Sequence, residues 1–206
     1  MSMNDSWYRA SVGDVTQRDA LQGDITTDVC IVGAGFTGLS AALELAEAGV
    51  RVTVLEAEQV GWGCSGRNGG QINPGLGCDH GRVVAELGAD DARKVWQLTL
   101  DGVELLRSRV KRHNIDCDLK ARQVPELQSW QHELEALGYD QLAFYDRDAL
   151  QSLLKADYQA GVMDWGGGDL HPLKYALGLA SAAEAAGAQI LERSAVLGYE
   201  EDGRTV

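Results

Sequence analysis

Asp28-Val29-Cys30-Ile31-Val32-Gly33-Ala34-Gly35-Phe36-Thr37-Gly38 is the stretch that decides the fold of this 206-residue chain. Its first five residues form a short apolar run with β-branched side chains. The run stops at Gly33, as a buried parallel strand does. From Phe36 to Ala48 the spacing turns helical, with Leu39, Ala42, Leu43, Leu45 and Ala46 on one broad face. Gly49 stands where a glycine closes a helix. Arg51 to Leu55 reads as a second strand. Strand, helix and strand make a βαβ unit, whose right-handed crossover lays the strands parallel.

Gly33, Gly35 and Gly38 complete a GxGxxG pattern. The pattern alone is weak, but here it follows a strand and opens a helix. Gly33 allows the tight turn, Gly35 lets backbone approach a pyrophosphate, and Gly38 lets the helix pack closely on the sheet. A diphosphate would then face the free amides and the positive dipole end of the helix. Glu56 follows Gly38 by 18 residues, at the end of the second strand. A carboxylate there accepts both ribose hydroxyls and repels a 2′-phosphate, which disfavours NADP. Read as structure alone, these are a turn and a surface acid. Strand, glycines, helix, strand and acid in that order favour a dinucleotide site, without separating FAD from NAD.

The next segment makes that separation. Gly61-Trp62-Gly63-Cys64-Ser65-Gly66-Arg67-Asn68-Gly69-Gly70-Gln71 is glycine-dense where a simple NAD domain leads into another helix. Its residues belong to a long loop over 61–81, and long loops in compact domains are usually functional. Such a loop can run close to a flat ring or a diphosphate and donate from its amides. Arg67 can offer a charged fork to an anion.

The block from Asp28 to Gln71 resembles the D-amino-acid-oxidase-like FAD oxidoreductases of glutathione-reductase type. Within them it is most similar to the bacterial gamma-glutamylputrescine oxidase group. Gly168-Asp169-Leu170-His171-Pro172-Leu173 and the Ala-rich helix ending at Gly187 carry the same resemblance. It implies an α/β fold: a FAD-binding Rossmann domain with an incomplete α+β substrate domain. It implies non-covalent FAD, with Gly33, Gly35, Phe36, Thr37 and Gly38 at the diphosphate and Glu56 at the adenosine ribose. Gly63, Ser65, Arg67, Asn68, Gly69 and Gly70 would line the diphosphate and flavin end, and Ala57 and Val196 the adenine end. The implied reaction is oxidation of an amine C–N bond, by hydride transfer to the flavin and reoxidation by dioxygen. Rivals are an FAD dehydrogenase of an N-methyl or D-amino acid that uses an electron carrier, and a non-catalytic FAD-binding chain. No catalytic acid or base is assigned.

The remaining chain divides into a polar arm (1–24), a first FAD-domain segment (25–114), the start of a substrate domain (115–160) and a return to the FAD domain (161–206). Periodicity predicts a helix from Asp90, as N-cap, to His113, and a strand from Ile115 to Ala121. A weaker helix runs from Pro125 through Leu137 and another over Ala149–Leu154. Gly166–Gly168 reads as a turn. Pro172 suits the first turn of a helix that runs to Ala186, followed by strands Ala188–Leu191 and Val196–Tyr199. His171 before Pro172 reads as a cap or packing group rather than a base. The last strand enters a turn at Asp202-Gly203 with no partner, so the polypeptide reads as incomplete, and unpaired edges predict aggregation.

A net charge of −13 argues against nucleic acid, which needs an excess of Lys and Arg. No apolar run is long enough to span a bilayer, and the first residues lack a signal-peptide core. The four cysteines, Cys30, Cys64, Cys78 and Cys117, form no CxxC pair. They read as free thiols of a cytoplasmic protein, with no zinc site. Cys64 reads as a small-residue slot rather than a covalent flavin anchor. Partners are then a small amine and dioxygen or an electron carrier; oligomeric state is not legible.

Overall fold

The computed structural model describes residues 6–78, 80–119, 123–124, 135–154, 160–164 and 166–199. Its elements fall into two units. The first comprises Met1–Gly69, Val110–Cys117 and His171–Val206, and the second Gly70–Arg109 and Asp118–Leu170.

In the first unit the predicted βαβ forms: β1 (Val29–Val32), α2 (Phe36–Glu47) and β2 (Val52–Leu55), preceded by a short helix α1 (Trp7–Ser11). β1 pairs parallel with β2 in the register Val29↔Val52 to Val32↔Leu55. β8 (Gln189–Leu191) adds in parallel on the other side of β2. Leu39, Ala42, Leu43 and Ala46 are the buried stripe of α2. It packs against α6 (Pro172–Ala185), whose Leu173 and Leu179 are also fully buried. Each such leucine contributes roughly 1.5–3 kcal/mol by leaving water. Gly49, at φ +81°, ends α2 as the sequence indicates. Gly178 of α6 leaves room for Ile115, whose side chain a Cβ there would overlap.

β1 differs from the expected buried strand. Its side chains alternate between half-buried and exposed, and Val32 is 66% exposed. Among the described residues it has a strand neighbour only on its β2 side, and the face holding Val29 and Ile31 is its more buried one. Arg51 forks onto Asp28 at the open end of the pair, 2.6 Å at its shortest, with both side chains largely exposed. The Arg51 hydrogen bond holds the Asp28 carboxyl below the usual range.

In the second unit α3 (His80–Leu87) is followed by α4 (Ala89–Arg112), whose last three residues belong to the first unit. α3 begins at the end of the stretch read as loop (61–81) and runs on through residues for which the sequence gives no element. α4 matches its predicted span, but Asp90 lies inside its first turn rather than at the cap. There its charge still suits the dipole. The residues 115–119 form no strand: Asp118 adopts φ +53° and Ile115 and Cys117 are buried as packing groups. Strands appear instead at β4 (Gln123–Val124), β5 (Leu142–Asp146) and β6 (Ala160–Asp164), in the antiparallel order β4-β6-β5. α5 (Arg147–Leu154) is the predicted short helix, extended at its start. β3 (Gln71–Ile72) pairs antiparallel with β7 (Gly168–Asp169), so the 61–81 stretch is not loop throughout. The weak helix predicted from Pro125 and the turn at Asp202-Gly203 lie mostly or wholly outside the described residues.

A buried carboxylate organises the end of β6. Asp164, 1% exposed, accepts the Tyr139 hydroxyl at 2.5 Å and the Gly166 and Gly167 amides at 2.8 and 2.9 Å, all on Oδ1. Arg107 of α4 donates to the carbonyls of Gly166 and Gly167. Burial, and then the hydrogen bond to Asp164, push the Tyr139 phenol well above its ordinary value. Among the described residues no helix is long and apolar enough to cross a membrane.

Candidate functional site

The glycine turn between β1 and α2 is held by β2 and by the second glycine loop. Gly33, at φ +96°, donates its amide to the Leu55 carbonyl at 2.8 Å, and the Ala34 carbonyl accepts the Gly61 amide at 3.0 Å. Only glycine adopts the Gly33 conformation without strain. A Cβ on Gly38 would overlap the Gly33 carbonyl and lie 3.2 Å from Ile31 Cγ2. That is the close helix–strand approach expected of the third glycine.

Leu39 is the first amide to bond back into α2, to the Gly35 carbonyl at 3.0 Å. The amides of Phe36, Thr37 and Gly38 therefore open toward the helix N-terminus, where the dipole is positive. The Phe36 amide donates to Ser65 Oγ at 3.0 Å. A Cβ on Gly35 would lie 2.9 Å from that oxygen. Ser65, an expected site residue, thus sits against the turn and keeps its hydroxyl hydrogen to give.

Glu56 is oriented by backbone. Its Oε2 accepts the Ala34 amide at 2.7 Å and its Oε1 the Glu58 amide at 2.9 Å. An ionised carboxylate has about four acceptor positions, so hydroxyl donors can still be taken. Ala57 beside it is exposed.

The second glycine loop turns through a short 3-10 segment at Cys64–Gly66. Asn68 Nδ2 donates to the carbonyls of Cys64 and Ser65 at 3.1 and 3.0 Å, and Arg67 Nε to that of Gly63 at 3.3 Å. Gly63, Arg67, Asn68 and Gly69 are exposed. The Arg67 and Asn68 side chains shape the loop that presents all four. Gly70 belongs to the second unit, where its carbonyl accepts the Leu170 amide at 2.9 Å. Val196 is half-buried and, against expectation, outside any strand; neighbouring Leu197 is 92% exposed. It stands two residues past Ser194, whose amide donates to the Glu56 carbonyl at 2.8 Å.

His171 has the capping role. Its Nδ1 accepts the Lys174 amide at 3.2 Å at the start of α6, and its Nε2 lies 3.0 Å from Ser11 Oγ. Rings of Trp7 and Tyr8 stand beside it, so the arm packs on the start of α6, though Trp7 stays 71% exposed. Cys64 is free and exposed, as are Cys30 and Cys78; Cys117 is buried and outside any disulfide.

Sequence reading missed Arg18, Glu192 and Ser194. All three are buried: Glu192 accepts the Val60 amide, Ser194 donates its amide to the Glu56 carbonyl, and Arg18 lies against Glu192. Glu192, a charge directly after an apolar strand, was the one legible hint.

The turn, the open helix amides, the pinned Glu56 and the glycine loop fit a dinucleotide of adenosine-diphosphate type. The family profile described as DAO, FAD dependent oxidoreductase, matches residues 28–206. The chain is 39% identical over 201 residues to gamma-glutamylputrescine oxidoreductase of Escherichia coli (strain K12), covering 93% of this chain and 47% of that protein. It is 40% identical over 185 residues to probable oxidoreductase OrdL of Haemophilus influenzae, covering 84% and 43%. Among solved structures, L-amino acid deaminase from Proteus vulgaris superposes with a TM-score of 0.70 at 20% identity, over 91% of this chain and 44% of that one. That likeness is one of fold. The chain spans about half the length of these relatives.

Proposed function

The chain belongs to the DAO family of FAD-dependent oxidoreductases, and from that premise we propose that it serves oxidation of an amine C–N bond in a gamma-glutamylputrescine-like substrate. The 39% identity to the Escherichia coli oxidoreductase carries the substrate class. The pinned Glu56 beside the α2 N-terminus carries the cofactor half of the reading.

Each residue has a physical task in this proposal. The amides of Gly35, Thr37 and Gly38 take the diphosphate, with Gly33 setting the turn and Phe36 giving its amide to Ser65. Ser65 accepts from Phe36 and donates its own hydrogen to a phosphate oxygen. Glu56 accepts the ribose hydroxyls, and Ala57 and Val196 bound the adenine. Gly63, Arg67, Asn68, Gly69 and Gly70 form the flavin end, where Arg67 balances negative charge. When bound, FAD supplies the hydride acceptor. The imine product is hydrolysed by water, and the electrons leave to dioxygen as peroxide. FAD is held without a covalent bond, and the free exposed thiols Cys30, Cys64 and Cys78 suit a cytoplasmic setting. Residues 115–160 start the substrate domain.

The test is to load the chain with FAD, desalt it, add gamma-glutamylputrescine and measure peroxide. Peroxide formed in step with amine loss is the expected result. Turnover confined to N-methyl or D-amino acids would move the substrate class. Retained FAD with no turnover of any amine would reduce the chain to a cofactor binder.

A further inference from the structure

The N-terminal arm reaches the cofactor side of the first unit through a buried ion pair. Arg18, 5% exposed, forks onto Glu184 of α6 at 2.7 and 2.8 Å. Its Nη1 lies 3.7 Å from Oε1 of Glu192, which is 2% exposed. That same Glu192 oxygen accepts the Val60 amide at 3.0 Å.

Backbone continues the connection. Glu192 donates its amide to the Asp19 carbonyl at 3.1 Å, and Leu21 donates to Ser194 Oγ at 2.8 Å. Arg193 donates its amide to the Glu58 carbonyl, and Ser194 to that of Glu56. Arg193 Nη2 also donates to the Arg18 carbonyl at 2.5 Å. Residues 18–21, 192–194 and 56–60 are thus three segments laced side by side. A buried guanidinium is costly to desolvate unless its partners are fixed. Arg18 therefore locks Glu192 in one position, and Glu192 locks Val60.

We propose that Arg18 is a positioning residue of the FAD site, acting through Glu192 and the Val60 amide to hold the Glu56–Val60 segment in its ribose-binding geometry. This rests on the reading of Glu56 as the ribose ligand. The arm is then a working part of the cofactor site rather than a polar leader.

The test is a double-mutant cycle on FAD affinity, with Arg18→Met and Glu56→Gln singly and together. Binding is measured by flavin fluorescence at a temperature where circular dichroism shows every variant folded. Arg18→Met raises the Kd about tenfold in the parent, within the range for coupled neighbours. In the Glu56→Gln background it changes the Kd less than about twofold, because the group it positions is already lost. A role in packing alone would give the same loss in both backgrounds, and that result overturns the proposal, as does an unchanged Kd for Arg18→Met. Should Arg18→Met fail to fold, Glu184→Gln loosens the same fork and shows the same pattern at about threefold. A folded parent that binds no FAD defeats the underlying site reading instead, which separates the two failures.

Discussion

Gly38→Ala sets two known effects against each other. Alanine within a helix is worth about 1 kcal/mol over glycine. The added Cβ, however, would overlap the Gly33 carbonyl and press on Ile31 Cγ2 at 3.2 Å. A carbonyl fixed by the turn cannot swing aside as a side-chain tip can, so the cost lies toward the upper end of the ~1–3 kcal/mol for overpacking. The net loss is about 1–2 kcal/mol. In a chain of this size each kcal/mol moves Tm by about 2–4 °C, so the melt falls by roughly 2–8 °C. Relief requires α2 to back away from β1, which displaces the amides of Phe36, Thr37 and Gly38. FAD affinity then drops at least about tenfold, the worth of one hydrogen bond to a charged group. The control is Gly102→Ala in α4, where the Cβ meets nothing within 4 Å. There only propensity acts, and the melt rises by about 2–4 °C. Thermal melts followed by FAD titration read both variants. A Gly38→Ala chain that melts at or above the parent and binds FAD equally refutes the argument.

Glu56→Gln removes the charge that the ribose hydroxyls meet in the proposed site, and FAD Kd rises about 10- to 100-fold by flavin fluorescence titration. His171→Ala loses the cap on Lys174, costing about 1 kcal/mol in urea unfolding, and His171→Asn restores most of it. Tyr139→Phe tests the raised phenol. The folded phenol titrates above its ordinary value of 10.0, so the stability it brings is fully present below that pH and is lost as pH rises toward the folded value. The difference in Tm between parent and Tyr139→Phe is therefore constant below about pH 10 and shrinks above it; a difference that grows there contradicts the burial argument.

The first unit was legible because its signals are local. Gly33, Gly35, Gly38, Gly49 and Gly187 each mark a turn or close approach, and the apolar stripes of α2 and α6 need no distant partner to be recognised. The second unit resisted. β3 and β7 are two residues each and exist only because Gln71 finds Asp169 and Ile72 finds Gly168. Leu142-Ala143-Phe144-Tyr145 has no polar alternation to mark β5, and Gly88, at φ +80°, divides helices that composition does not separate. β1 was read as buried because an apolar run cannot reveal whether a strand lies inside a sheet or at its edge. At the site, the structure brings the glycines, Glu56 and Ser65 to one turn. Arg18 and Glu192 were not, since a buried ion pair between residues distant in sequence leaves no spacing to detect.

The account stands most directly on cofactor identity. Purified chain incubated with excess FAD, passed through gel filtration and scanned in the visible keeps the flavin bands, and excess NAD does not displace them. A chain that circular dichroism shows folded, yet emerges colourless, contradicts it.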